Sequence, residues 1–190
     1  MNTKKLALTI VFAALTVALN PAVSGIGIPA PYAPFLIYGL WEIPIVVAFL
    51  LISPMSGIAI SLLNAVVLFA FFPGPLPTGP LYNLIAIFSM LTGIYIAGKL
   101  TTRGATQGKQ VVKIATATTV VGVVIRIAVM TAVNYTTLRF DYPVGFSMTE
   151  LAIIGFLPLG ALFNGTLALY TIPIGEFIAD VVKRRLKLKN

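Results

Sequence analysis

Six apolar runs, each near the length of a bilayer crossing, take up most of this sequence and limit its fold more than any other feature. A spanning helix needs about 20 mainly apolar residues, with a range of roughly 17–25. Such runs fall at 5–20, 36–53, 55–72, 80–98, 112–136 and 150–181. Between the third and fourth, "FFPGPLPTGP" breaks the chain, because proline has no backbone donor and clashes with the preceding turn. Between the fourth and fifth, "GKLTTRGATQGKQVVK" is polar, basic and glycine-containing, and reads as a loop. The sixth run holds Pro158 and Pro173, so a kink or break is expected in it. Composition agrees: 9% of residues are charged, against roughly 25% in soluble domains. The reading is an all-α membrane protein, a six-helix transmembrane bundle forming a single integral membrane domain over residues 1–190, with no internal repeat.

The net charge of +8 suggests nucleic acid at first sight. Its distribution argues otherwise. Lys4 and Lys5, then Lys99, Arg103, Lys109 and Lys113, then Lys183, Arg184, Arg185, Lys187 and Lys189 flank the apolar runs. Basic residues concentrate on the cytoplasmic side of membrane proteins. With both termini and the 99–113 loop inside, Arg139 is outside and Arg126 lies within the membrane. This arrangement requires an even number of spans, and the expected location is the cell membrane. The opening "MNTKKLALTIVFAALTVALNPAVSG" also has the outline of a signal peptide, with Ala22 and Ser24 near a cut that would leave five spans. Retention as the first span is the favoured reading.

Chemistry is narrowly bounded. With no cysteine and no histidine, the chain has no thiolate nucleophile, no common general base and no usual soft or imidazole metal ligand. Its five carboxylates are Glu42, Asp141, Glu150, Glu176 and Asp180, and none forms a close pair on one intramembrane helix face. The chain is therefore not read as an enzyme, and no metal site is expected.

Polar residues at membrane depth are the informative ones. Arg126 sits midway along the fifth run, where a guanidinium costs roughly 2.5–3.5 kcal/mol on insertion scales and must face the bundle interior or a partner. Glu42, near the outer end of the second run, is the expected partner, which gives both residues a structural role. Arg126, Met130 and Asn134 share one helix face, within about 80° of arc. Asn64, Asn83 and Asn164 lie on the third, fourth and sixth runs. For any one amide, interhelical pinning and ligand contact are both open. Residues 20–41 carry no charge and are rich in proline, glycine and aromatics. They read as a lid over a cavity, with Tyr38 and Trp41 stacking on a flat ligand; the other use for such aromatics is an interfacial belt. Ala14 and Ala18 make a small-xxx-small pair on the first run.

Taken in order, "YGLWEIPIVVAFLLISPMSGIAISLLNAVV", "GPLYNLIAIFSMLTGIYIAGKL", the R-x-x-x-M-x-x-x-N-Y pattern of Arg126, Met130, Asn134 and Tyr135, and "FLPLGALFNGTLALYTIPIG" resemble the substrate-binding S components of energy-coupling factor (ECF) transporters, and among them the riboflavin type. The resemblance runs along nearly the whole chain. It implies a membrane subunit that captures a vitamin outside and hands it inward together with a transmembrane coupling subunit and two ATPase subunits. ATP would then be bound by the partners; this chain has no glycine-rich phosphate loop and needs no cofactor of its own. It also implies that Ala14 and Ala18 contact the coupling subunit. One departure stands out: where riboflavin-type members commonly have a lysine in an I-K-G-like step, this chain has "FNG" with Asn164. Riboflavin is the leading substrate, with a related vitamin or precursor as the alternative.

The expected site is Asn134 and Asn164 on the polar edge of the ligand, Asn64 and Asn83 as further candidates, and Tyr38 and Trp41 closing the lid. A self-contained secondary transporter would need coupling-ion carboxylates or an inverted repeat, and the sequence shows neither clearly. An assembly protein without a ligand would use the same amides as glue.

Overall fold

The computed structural model describes residues 3–72, 74–101 and 110–186. Along the chain they form α1 (Thr3–Leu19), α2 (Pro21–Ser24), β1 (Ile28–Ala30), β2 (Ala33–Tyr38), α3 (Glu42–Leu51), α4 (Pro54–Phe71), α5 (Gly79–Thr101), α6 (Gln110–Thr137) and α7 (Glu150–Leu186). Among the described residues, four helices are long and apolar enough to cross a membrane: α4, α5, α6 from Lys113, and α7. Helix α1 has 17 residues. This is a helical membrane protein.

The second apolar run is not one long helix. Its first residues belong to β2, a turn follows at Gly39, and helix begins only at Glu42. Ten residues of α3 rise about 15 Å, half of a hydrocarbon core roughly 30 Å thick. Residues Glu42 to Phe49 are all buried. A helix that is apolar around its whole circumference belongs in the centre of a bundle, and α3 packs there against α1, α4 and α7.

The stretch before it, expected from sequence to be a lid, is ordered by local chemistry. Asn20 caps α2, its side chain accepting from the Ala22 N–H at 3.0 Å. Pro21 follows at the first helical position, and Gly25 closes the turn at φ 68°. Strands β1 and β2 then pair antiparallel, Ile28 opposite Tyr38 and Pro29 opposite Ile37, with an irregularity between Pro29 and Ala30. Proline fits such a short, isolated ribbon because its missing donor can sit on a free edge.

Helices α5 and α6 form the closest antiparallel pair. A methyl group on Gly93 would lie 2.6 Å from the Gly122 Cα, so the two backbones touch there. Close approach through paired glycines lets main chains pack where lipid supplies no hydrophobic drive. Gly175 plays the same part between α7 and α3, its bare Cα lying against Val46. Helix α7 continues through Pro158 and Pro173 without interruption over 37 residues. Chain order brings Lys4, Lys5, Lys99, Lys113, Lys183, Arg184 and Arg185 to one end of the bundle. Arg103, Lys109, Lys187 and Lys189 lie outside the described residues. At the opposite end, residues 138–149 fold into a tight turn in which the Phe146 and Met148 N–H groups both donate to the Leu138 carbonyl. Thr78 and Tyr82 donate their hydroxyls to the carbonyls of Pro143 and Val144, tying this turn to the start of α5.

Candidate functional site

Between the helices, at the end away from the basic residues, is a cavity of about 1080 Å³. Its floor is electrostatic. Arg126 on α6 directs both terminal nitrogens at the Glu42 carboxylate in a two-point pairing, with Nη2 to Oε1 at 2.9 Å. Its Nε donates to Asn164 Oδ1 on α7 at 3.1 Å, and Nη1 also approaches Met90 Sδ on α5 at 3.5 Å. Arg126 and Glu42 are each only 2% exposed. A guanidinium and a carboxylate tolerate such burial when they meet fork to fork with their remaining groups satisfied. Glu42 stands in the first turn of α3, where the helix N-terminus also favours a negative charge.

Above this floor the wall is apolar. Met130 continues the Arg126 face of α6, and Phe156, Phe163 and Leu167 come from α7, with Trp41 and Leu68 opposite. Positions 156, 160, 163, 164 and 167 recur at helical spacing and make one face of α7. Gly160 is the gap in that face. A methyl group there would lie 3.2 Å from Asn134 Nδ2, so the Asn134 amide leans over a bare backbone. Asn83, on α5, lines the cavity too. Arg126 and Glu42 are the charged groups in the lining, and they cancel.

The hairpin covers one side, Phe35, Leu36 and Ile37 of β2 reaching the cavity. It is fastened to α7. The Tyr170 hydroxyl donates to the Gly39 carbonyl at 2.6 Å, and the Tyr38 ring packs on Phe163 with centroids 4.9 Å apart. The hydroxyls of Tyr38 and Tyr32 share a further hydrogen bond.

Of the residues singled out from sequence, Asn83, Asn134, Asn164 and Trp41 line the cavity together with Arg126 and Glu42. Two do not. Tyr38 lies behind Phe163 as a strut of the hairpin. Asn64 sits a layer back, its Oδ1 accepting from Asn20 Nδ2 at 3.5 Å, while Asn20 itself reaches the cavity. Tyr135 turns away from the site and donates its hydroxyl to Glu150 at 3.2 Å. Ala14 and Ala18 are exposed on the outer face of α1. Asn20, Phe156 and Phe163 also line the cavity and are not among the residues singled out from sequence. For the two phenylalanines a signal existed, since they flank Gly160 and Asn164 at helical spacing.

No family model and no curated protein matches this chain. A solved structure described as the S component of a bacterial ECF transporter shares its fold. The two chains superpose with a TM-score of 0.65 at 19% sequence identity, covering 98% of this chain and 97% of the other.

Proposed function

We propose that this chain is the substrate-binding subunit of an ECF-type vitamin uptake transporter, with riboflavin or a related flavin as its ligand. The observation that carries the reading is the cavity: it is large, mostly apolar, floored by a self-neutralised ion pair and lined by amides, in a chain with an S-component fold. Such a lining favours an uncharged, flat heterocycle held by burial and a few directed hydrogen bonds. Asn83 and Asn134 supply the amides that face the ligand, Asn164 helps hold the floor beneath it, and Trp41 gives an aromatic surface. The ligand enters from outside, and transport is driven by a transmembrane coupling subunit and two ATPase subunits that bind the ATP. The exposed Ala14 and Ala18 offer the small-residue face against which the coupling subunit packs.

In this reading the chain crosses the cell membrane six times, α1 serving as a shorter crossing and β2 with α3 together making the second, with both termini in the cytoplasm. The gathering of basic residues at one end supports that orientation.

The experiment is a titration of the purified, ligand-free protein with riboflavin. Trp41 is the sole tryptophan and faces the cavity. A flavin absorbs where tryptophan emits, so saturable quenching with a matching calorimetric isotherm is the expected result. An unquenched, heatless titration with riboflavin, together with binding of another uncharged vitamin, would keep the S-component reading and replace the ligand. Uptake by the chain alone in proteoliposomes under an ion gradient would instead support a secondary transporter.

A further inference from the structure

The amides of the cavity fall into two groups by what they already do. Asn164 is committed on both sides: Oδ1 accepts from Arg126 Nε at 3.1 Å, and Nδ2 donates to the Gly160 carbonyl one turn earlier at 2.9 Å. It is 6% exposed. Asn83 and Asn134 make no side-chain hydrogen bond to any described residue, and both line the cavity. Their heights match. From the Gly93–Gly122 contact, Asn83 lies ten residues along α5 and Asn134 twelve along α6, or about 15 and 18 Å toward the same end. Arg126 lies eight residues below Asn134 on α6, about 12 Å deeper.

We infer that Asn83 and Asn134 read the polar edge of the ligand, while Asn164 is a positioning residue that holds the Arg126–Glu42 floor. This rests on the cavity being the substrate site. Two uncommitted amides bring donors and acceptors together at one level. They complement a ligand edge that presents both kinds in one plane, as an imide or lactam does. The charge at the floor is already matched, so the pocket offers an anionic edge no free cation. An analogue lacking the N–H of its imide leaves one amide acceptor unpaired, and such sites reject it strongly.

Riboflavin and its N3-methyl derivative, which has lost the imide N–H, form the test against Asn83→Ala, Asn134→Ala and Asn164→Ala. Binding is measured below each variant's melting midpoint, and melting is recorded on the ligand-free proteins. The first two variants are expected to weaken riboflavin about tenfold and the N3-methyl compound less than about twofold. Asn164→Ala weakens both ligands by the same factor, since it shifts the floor and not the edge contact. Its ligand-free midpoint falls by about 6 °C, while those of the other two stay within about 1 °C. Edge discrimination lost in Asn164→Ala but kept in the other two overturns the assignment. If neither flavin binds the parent protein, the flavin reading fails and melting decides the division of roles. A silent Asn164→Ala, or destabilised Asn83→Ala and Asn134→Ala, then overturns it.

Discussion

Arg126 is expensive where it stands, and its neighbours explain how it is kept. The Glu42 carboxylate takes both ends of the fork, Asn164 takes Nε, and Met90 fills the remaining side. Removing one charge strands the other. Glu42→Gln is therefore expected to destabilise the protein by about 3–5 kcal/mol. The double replacement Glu42→Leu with Arg126→Met removes both charges and should recover most of that loss, as buried pairs often do when replaced by apolar groups of similar volume. Thermal melting of the two singles and the double gives the coupling; additive losses would show that the pair does not act as a unit. Gly160 makes a different kind of residue-scale prediction. An added methyl meets the free end of the Asn134 side chain and the edge of the Phe156 ring, both at 3.2 Å, and no backbone. Gly160→Ala should therefore leave the melting midpoint within a few degrees yet weaken binding of the proposed flavin ligand several-fold by displacing that amide. Calorimetry on the folded variant checks it.

At the scale of elements, length and period were legible where lipid dictates them. The runs at 55–72, 80–98, 112–136 and 150–181 correspond to α4, α5, α6 and α7 within a few residues, apart from the inner end of α7. Apolar content says how long a segment is, but not whether it is helix throughout. The run at 36–53 therefore reads as one span from sequence: "FLIY" is as apolar as a helix, and only its pairing with Ile28–Ala30 makes it a strand. The site was legible in part for the same reason. Arg126, Met130 and Asn134 stand at fixed helical spacing, so their common face followed from the period alone. That Asn64 lies behind Asn20, and Tyr38 behind Phe163, depends on how separate elements pack, and no local pattern carries that. Packing also sets the element-scale prediction. The α5–α6 contact is backbone against backbone at Gly93 and Gly122, so an extra carbon must push the helices apart. Gly93→Ala is expected to cost about 3 kcal/mol and to lower binding as well, because Asn83 and Asn134 ride on the separated helices. Gly155→Ala on α7, where an added carbon meets open space, is the control and should be silent.

For the whole molecule, the charge distribution and the cavity point in opposite directions along one axis. The described basic residues of the N-terminus, of α5's last turn, of α6's first turn and of α7's last turn gather at one end, and the cavity, the hairpin and Arg139 at the other. A binding subunit that loads from outside needs this polarity, because the positive end fixes which way the cavity faces. The sequence supplies its own means of testing it. The chain contains no cysteine, so a single introduced thiol reports its side of the membrane without background. Arg139 is exposed in the turn beyond α6, and Lys183 lies in the last turn of α7. In intact cells an impermeant maleimide should label Arg139→Cys and spare Lys183→Cys, and permeabilisation should expose the second. The reverse pattern would open the cavity to the cytoplasm and end the uptake reading. Equal labelling of both would place the two sites on the same face, requiring an odd count of crossings between them to be abandoned, and with it the path of α7 through the membrane.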